Sequence, residues 1–296
     1  MPPAHPSVEP DRVTPFLRQR IRAVFKQVPK ALAGEEEPIH QMRVAGRRLR
    51  VALPLTARKP DGKRLPRALR ILRELTRTAG ASRDLDVSLQ LLEERLQALP
   101  ERTAGQVTLR RRLQAARTRS RGRMADALMD LEIARLRRDL RRIVARTGED
   151  LFTVLLRLRE MRESEGAAMV EGFETIGDRF DPAALHRLRR QARRLRYAAE
   201  VSDVLRGEPS DAPVLLKGLQ EEIGQIHDRN LLAVWFEAQA RASHARGQAD
   251  LARAAEAEHA FFMEAARERH RAFLARGPVG VAREALTAMT RPRSAA

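Results

Sequence analysis

An arginine-rich segment occurs twice in the chain, about half its length apart. Residues 40–50 read HQMRVAGRRLR and residues 186–196 read HRLRRQARRLR, with six of eleven positions identical and no gap. A second similarity follows in register, because 80–84 (GASRD) and 224–228 (GQIHD) share the pattern Gly-x-x-x-Asp. A repeat of this order and spacing predicts two copies of one structural unit, so the fold is expected to have two similar halves.

The composition predicts that both halves are helical. Aromatic residues make up 4% of the chain and runs of β-branched residues are scarce, which argues against a sheet protein. The chain has no cysteine, which excludes disulfides, thiolate zinc sites and cysteine nucleophiles. We expect an all-α protein of two homologous antiparallel helical bundles, packed with a basic groove or pore between them.

Proline, glycine and charge set the expected boundaries. They predict a disordered arm at 1–10, a first bundle at 11–147, a second at 148–290 and a tail at 291–296. No uncharged apolar run approaches the ~18–20 residues that cross a bilayer, and the N-terminal sequence lacks the pattern of a signal peptide. We therefore expect a cytoplasmic protein without membrane insertion.

Glycines are expected to divide the helices. Gly80 is predicted to stop one helix before Asp84 caps the next, and Gly224 and Asp228 are predicted to do the same in the second half. Further breaks are expected at Gly122 and at Thr147-Gly148. Each Asp also has a possible second role, which is to hydrogen-bond a motif arginine and fix its rotamer.

On a helical wheel the repeated segment separates into two faces. Successive residues advance by about 100°, which places the cations in one stripe and the apolar residues on the opposite side. The stripe contains His40, Arg43, Arg47 and Arg50 in the first copy and His186, Arg189, Arg193, Arg196 and Tyr197 in the second, with Arg48 and Arg194 at its edge. On the next helix, Arg73 and Arg77 extend the surface, and Lys217 corresponds to Arg73 in the second half.

These stripes require a source of negative charge, because like charges three and four residues apart repel. Acidic residues on adjacent helices, or solvation alone, would supply it in an ordinary basic helix. A multivalent anion is the alternative, and the whole chain favours a polyanionic partner, since 57 Lys and Arg against 39 Asp and Glu give a net charge of +18. Of these cations 52 are arginine, whose planar guanidinium binds phosphate through two N–H groups, although a high-GC genome also enriches arginine.

The motifs resemble a known family, the conserved histidine α-helical domain (CHAD). The resemblance rests on the two repeated segments, on Arg83-Asp84-Leu85-Asp86-Val87 and on Leu185 to Tyr197, and it extends over about 10–290. It implies a module that binds inorganic polyphosphate in a basic groove or pore between two bundles, often at polyphosphate granules. The striped residues above would then be the polyphosphate ligands. His227 departs from the small or polar residue expected before Asp228, and Arg193 replaces a lysine that is common there.

Two other classes of function remain open at this stage. A basic helical protein often binds nucleic acid, although one Trp, one Tyr and nine Phe provide few groups for base stacking. A helical-bundle metalloenzyme is less favoured, since Glu37…His40 and Glu256…His259 are the chain's two Glu-x-x-His spacings and such sites need further glutamates. We expect no metal, no cofactor and no catalytic residue. Bound phosphate would raise the pKa of His40 and His186, so binding is expected to strengthen towards pH 6.

Overall fold

The structure, a computed structural model, describes residues 11–60, 62–145 and 151–291. Within these ranges the chain forms ten α-helices and no strand, which confirms the all-α prediction. The helices are α1 (Val13–Leu32), α2 (Glu36–Thr56), α3 (Arg64–Gln97), α4 (Ala104–Met129), α5 (Ile133–Val144), α6 (Leu151–Thr175), α7 (Pro182–Arg206), α8 (Ala212–His244), α9 (Ala249–Ala275) and α10 (Pro278–Ala288). The predicted arm, the predicted break at Thr147-Gly148 and all of the predicted tail except Arg291 lie outside the described residues.

The repeated segments lie on neighbouring helices. The first copy is on α2 and the second on α7, and each helix is followed by a long one, α3 or α8, that carries a Gly-x-x-x-Asp sequence. Helix α2 contacts α7, and α3 contacts α8. The four helices that carry the sequence motifs are therefore together, where the earlier part of the chain meets the later part.

Three of the expected helix breaks are wrong. Helix α3 continues through Gly80, α8 through Gly224 and α4 through Gly122. A glycine commonly ends a helix by adopting positive φ, as Gly207 does after α7 with φ of 72°, and the three interior glycines do not adopt it. A helical glycine costs about 1 kcal/mol relative to alanine. At Gly80 and Gly224 that cost is offset because buried residues precede and follow them on the same helix.

Asp84 and Asp228 consequently lie inside helices, so the prediction that they are N-caps is also wrong. In a continuous helix, residues four apart lie on one face, a single turn from each other. Each Gly-x-x-x-Asp sequence therefore places a carboxylate beside a gap in the side-chain surface of α3 or α8.

Two hydrophobic cores stabilise the fold. The larger contains residues from both halves of the chain, among them Leu49, Leu75 and Leu195. The smaller packs the C-terminal parts of α3 and α8 against α4 and α9, around Leu92 and Phe236. Helices α3 and α8 thus contribute to both cores, and their Gly-x-x-x-Asp segments lie at the passage from one core to the other.

Helix α2 approaches α3 closely at Gly46. A Cβ atom at this position would lie 2.8 Å from Cγ2 of Thr76, so a glycine is needed for the two helices to meet. The close approach brings the arginines of α2 against α3, where Arg50 donates a hydrogen bond to Oγ1 of Thr76 at 3.1 Å. No helix in the described ranges combines the length and the apolar character that crossing a membrane requires.

Candidate functional site

Helices α2 and α7 bury their apolar faces and turn their cationic faces towards each other. Met42 and Leu49 of α2 are buried, as are Leu188 and Leu195 of α7. Asp181 begins α7 by accepting hydrogen bonds from two backbone N–H groups of the first turn. The two-faced pattern of the sequence therefore fixes which side chains remain for the space between the helices.

A cavity of about 310 Å³ lies where the two cationic faces meet. Its lining contains six arginines and no carboxylate: Arg47, Arg50, Arg73, Arg190, Arg193 and Arg194, together with Val51, Leu69 and Tyr197. Of the six, Arg194 alone has an ion-pair partner among the described residues, Glu165 of α6 at 2.6 Å. The cavity is thus a concentration of positive charge with little internal compensation.

Burial makes this charge costly for the protein. Desolvation, with Arg193 and Arg43 nearby, lowers the pKa of Arg47 to about 9. Desolvation, with Arg189 nearby, lowers the pKa of Arg193 to about 10. The pKa of Arg50 is lowered by burial and by Arg73. Because both pKa values are above neutral pH, Arg47 and Arg193 stay charged at pH 7, and an anion in the cavity would relieve their repulsion.

Glu200 of α7 forms ion pairs with three arginines that do not line the cavity. Its carboxylate lies 2.9 Å from Nε of Arg48, 3.6 Å from Nε of Arg196 and 3.7 Å from Nη2 of Arg20. Tyr197 is 4% exposed, and the guanidinium carbons of Arg48 and Arg196 lie 5.6 and 5.7 Å from its ring centroid. Two of the sequence-predicted ligands, Arg48 and Arg196, therefore bind a carboxylate of the protein itself.

Arg43 of α2 lies against the Gly-x-x-x-Asp segment of α3. Its Nη1 donates to the carbonyl oxygen of Gly80 at 3.2 Å and lies 3.4 Å from Oδ1 of Asp84. Burial lowers the pKa of Arg43, and the interaction with Asp84 opposes that shift. The possible second role considered for Asp84, as a hydrogen-bond partner of a motif arginine, is thus what the structure shows.

Arg189 of α7 occupies the corresponding place on α8. A Cβ atom at Gly224 would lie 3.2 Å from Nε of Arg189, so the glycine provides the room that the guanidinium occupies. This Nε is buried and has no hydrogen-bond partner. Burial raises the pKa of Asp228, and Asp84 raises it further, whereas Arg189 lowers it. The two arginines and the two carboxylates therefore form one interacting group, which we call the Arg–Asp quartet.

Three histidines lie beside the quartet. Burial lowers the pKa values of His40, His186 and His227, with a further contribution from nearby arginines and, at His186, from His227, which favours the uncharged imidazoles at pH 7. The rings of His186 and His227 pack with their centroids 5.1 Å apart. The departure noted at His227 thus adds a third imidazole to the two predicted from the repeat.

The remaining predicted residues are on α3 and α8. Arg73 lines the cavity, as its spacing suggested. Arg77 is exposed and lies outside the cavity lining. Lys217 is exposed as well, and its Nζ lies 3.4 Å from Oε1 of Glu221 on the same helix. The structure does not bring Lys217 to the cavity.

Comparison with known proteins identifies the family. A family model described as the CHAD domain matches residues 16–237, most of the chain. The chain belongs to the CHAD family. Two uncharacterized proteins from two strains of Mycobacterium tuberculosis are 32% identical to this CHAD chain over 202 residues, which are 60% of the chain and 38% of each relative. The chain thus matches well under half of the length of these relatives.

The fold of this CHAD domain is shared with a solved structure. The crystal structure of the CHAD domain from the plant Ricinus communis matches it with a TM-score of 0.61 at 24% sequence identity, covering 94% of this chain and 91% of that chain. The resemblance drawn from the motifs is therefore confirmed for the family and for the fold.

Arg190 is the cavity residue that the sequence reasoning missed in this CHAD domain. It lies four residues after His186, on the cationic stripe of α7, and it lines the cavity. Its counterpart in the first copy is Val44, so a comparison of the two copies does not select it. A helical wheel of the second copy alone would have found it, because residue 190 falls about 40° from residue 186.

The two Glu-x-x-His spacings do not assemble into a metal site in the described part of this CHAD domain. His244 lies 2.6 Å from Glu256, and Nδ1 of His259 lies 2.9 Å from the carbonyl oxygen of Ala233. Among the described residues, no three His, Asp or Glu side chains converge in a way that would hold a metal ion.

Proposed function

We propose that this CHAD domain binds inorganic polyphosphate in the arginine-lined cavity between α2 and α7, and that it does so without hydrolysing the polymer. The observation that carries the proposal is the lining itself, which presents six guanidinium groups and no carboxylate. Guanidinium groups donate paired hydrogen bonds to phosphate oxygens, and facing walls of such groups suit a linear chain of phosphates.

The source of affinity would be electrostatic. Each phosphate that an arginine neutralises releases condensed counterions, so the association constant falls steeply with salt concentration, as it does for proteins on DNA. Arg47 and Arg193 contribute most, because they are the most desolvated cations of the lining and lack ion-pair partners in the described chain. A phosphate chain would replace the mutual repulsion of these two groups by attraction.

The proposal is of a binding site rather than a hydrolytic one. The cavity lining offers guanidinium groups, aliphatic side chains and a buried phenol, and it contains no carboxylate or imidazole that would activate water. Incubation of the purified chain with polyphosphate, with and without magnesium, is expected to release no orthophosphate. Release that is lost in the cavity variant described below would contradict this part of the proposal.

The test is a titration of long-chain polyphosphate over a series of salt concentrations. The variant Arg47→Met/Arg193→Met removes both charges and keeps most of each side-chain stem. Its matched control is Arg111→Met/Arg119→Met, which removes the same charge from exposed positions on α4. We expect the cavity variant to lose at least tenfold in affinity and to show a shallower salt dependence. An equal loss in the control would overturn the assignment of the site.

Nucleic acid is the competing ligand, since it presents the same phosphate charge. The cavity holds one aromatic residue, Tyr197, which is buried under two arginines and not available to stack on a base. We therefore expect single-stranded and duplex DNA to displace polyphosphate poorly at matched phosphate concentration. Efficient displacement would favour the nucleic-acid alternative.

The proposal extends to location in the cell. A chain that binds polyphosphate with high affinity would gather where the polymer accumulates, so we propose that it is cytoplasmic and associates with polyphosphate granules. Fluorescence microscopy of the tagged wild type and of the Arg47→Met/Arg193→Met variant tests this, and we expect granule foci for the wild type and diffuse signal for the variant.

A further inference from the structure

We propose that Asp84 and Asp228 determine where the polyphosphate site ends, because Asp84 pairs with Arg43, Asp228 lies on the same helix face as the gap that receives Arg189, and both carboxylates repel phosphate from the histidine end of the cationic stripe. The inference rests on the proposed function and adds to it two residues of the opposite charge. It also divides the ligands predicted from the sequence into a set that binds phosphate and a set whose positive charge lies close to carboxylates of the protein.

Arg43 already has partners within the protein. Its Nη1 is shared between the carbonyl oxygen of Gly80 and Oδ1 of Asp84, at 3.2 and 3.4 Å. The side chain of Arg43 is 9% exposed, whereas that of Asp84 is 45% exposed. The guanidinium is thus buried, whereas its carboxylate partner faces the solvent from which a ligand would arrive.

The second half of the quartet lacks this direct contact, since no hydrogen bond or ion pair joins Asp228 to Arg189 among the described residues. Arg189 lies over Gly224, and Asp228 is one turn further along the same face of α8. Burial raises the pKa of Asp228, and Arg189 and Asp84 also shift it, so the carboxylates of the contacting helices α3 and α8 are within electrostatic range of each other. Two cations and two anions give the quartet no net charge.

The cationic stripe therefore changes character along its length. At one end six arginines line a cavity without a carboxylate, and at the other the quartet and three imidazoles carry little net charge at pH 7. A phosphate beside Asp84 or Asp228 would meet a like charge, which costs free energy in a partly desolvated place. The polymer accordingly binds at the end of the stripe that the six arginines line, and its binding site does not extend past the two carboxylates.

The test compares salt dependence in the wild type and in Asp84→Asn/Asp228→Asn. Asparagine keeps the size of the side chain and removes its charge. If the carboxylates end the site by repelling phosphate, their removal lets phosphate reach Arg43 and Arg189, so the slope of log K against log salt steepens by about two. Affinity for long-chain polyphosphate at low salt is expected to rise at least tenfold.

A matched control separates this effect from net charge. Glu163→Gln/Glu237→Gln removes two exposed carboxylates that pair with arginines one turn away on α6 and α8. We expect it to leave the slope unchanged although it raises the net charge by the same amount. If the control steepens the slope equally, the effect belongs to the overall field and the inference is overturned.

Arg43 provides a second arm that remains usable if Asp228→Asn fails to fold by circular dichroism. Arg43→Ala is expected to leave the salt slope of the wild type unchanged and to reduce that of Asp84→Asn by about one. A reduction in the wild type itself would show that Arg43 binds phosphate and that Asp84 merely positions it, which overturns the inference.

Failure of the inference is distinguishable from failure of the proposed function. If the wild type binds polyphosphate, Arg47→Met/Arg193→Met loses binding and the Asp variants show an unchanged or shallower slope, the inference alone is wrong. If neither the wild type nor Asp84→Asn/Asp228→Asn binds polyphosphate, both are wrong.

Discussion

Arg47 of α2 and Arg193 of α7 are half-buried in the same cavity, and neither has a carboxylate partner in the described chain. Each lowers the stability of the other's charged form, so the folded protein carries an electrostatic cost at the junction of its two halves. Such a cost persists in a protein when it serves binding, because a ligand of opposite charge removes it.

Removal of this pair is therefore expected to stabilise the ligand-free protein while it weakens binding. For Arg47→Met/Arg193→Met we expect the free energy of unfolding to rise by about 1 kcal/mol, since methionine retains the buried stem and removes the repulsion. Urea denaturation without polyphosphate measures it. A loss of more than 1 kcal/mol would show that the two arginines are structural.

Removal of the charge of Glu200 is expected to destabilise the protein. Its carboxylate is 14% exposed and compensates Arg20, Arg48 and Arg196, so Glu200→Gln leaves three guanidinium groups buried with one neutral partner. Breaking a buried ion pair from one side costs about 3–5 kcal/mol. Chemical denaturation of this variant should show a loss of that order.

The exposed pair Arg159–Glu163 on α6 supplies the control for Glu200. The substitution Glu163→Gln should change the unfolding free energy by no more than a few tenths of a kcal/mol, as is typical of surface ion pairs. Equal effects at the two positions would contradict the structural role assigned to Glu200.

The histidines give the ligand-free protein an acid-sensitive stability. Burial holds the pKa values of His40, His186 and His227 below the value of about 6.5 in the unfolded chain, so the unfolded state takes up protons first. Stability is then complete above about pH 7 and falls as the pH drops through 6.5 towards the folded-state values.

Thermal melts at pH 7.5 and pH 5.5 measure this effect. The variant His40→Gln/His186→Gln/His227→Gln should lose less stability than the wild type between the two pH values. His270 is buried with a lowered pKa as well, and it is present in both proteins, so its contribution cancels. The pKa of Asp228 is raised, so this residue makes the folded state more stable as the pH falls, and it does so in the wild type and in the variant alike. Identical pH dependence in the two proteins would contradict the prediction.

Gly80 and Gly224 offer a comparison between two equivalent positions. A Cβ atom at Gly80 would meet the guanidinium of Arg43 at 4.0 Å, an ordinary contact, so Gly80→Ala should stabilise α3 by about 0.5–1 kcal/mol. At Gly224 the nearest atom of Arg189 is at 3.2 Å, and Gly224→Ala must displace that side chain. Thermal melts should therefore show a gain for Gly80→Ala and a smaller gain or a loss for Gly224→Ala.

Periodicity predicted the helices and their buried faces well, because the stripe of α2 and that of α7 depend on local spacing alone. It failed at Gly80 and Gly224, where tertiary burial on both sides of each glycine outweighs a local preference to end the helix. A glycine in a Gly-x-x-x-Asp sequence can end a helix, or it can lie inside a helix and leave room for an arginine of a neighbouring helix. The sequence contains no signal that distinguishes these two cases.

The sequence predicted which residue types form the candidate site. It did not predict which arginines line the cavity and which pair with a carboxylate of the protein. Sequence spacing placed Arg47 and Arg48 beside each other on one cationic surface. In the structure Arg47 lines the cavity, whereas Arg48 turns to Glu200, a residue of the other half of the chain. Which arginine meets a carboxylate depends on contacts between α2 and α7, and one-dimensional periodicity does not contain them.

The continuity of α3 and α8 through both cores has a mechanical consequence. Each helix is a single rod that holds a carboxylate of the quartet near its middle and, at its far end, joins a packed group that includes the stacked rings of Phe236 and Phe262, 5.8 Å apart. Because both helices are anchored in this group, a change in its packing would be transmitted along each helix to its carboxylate.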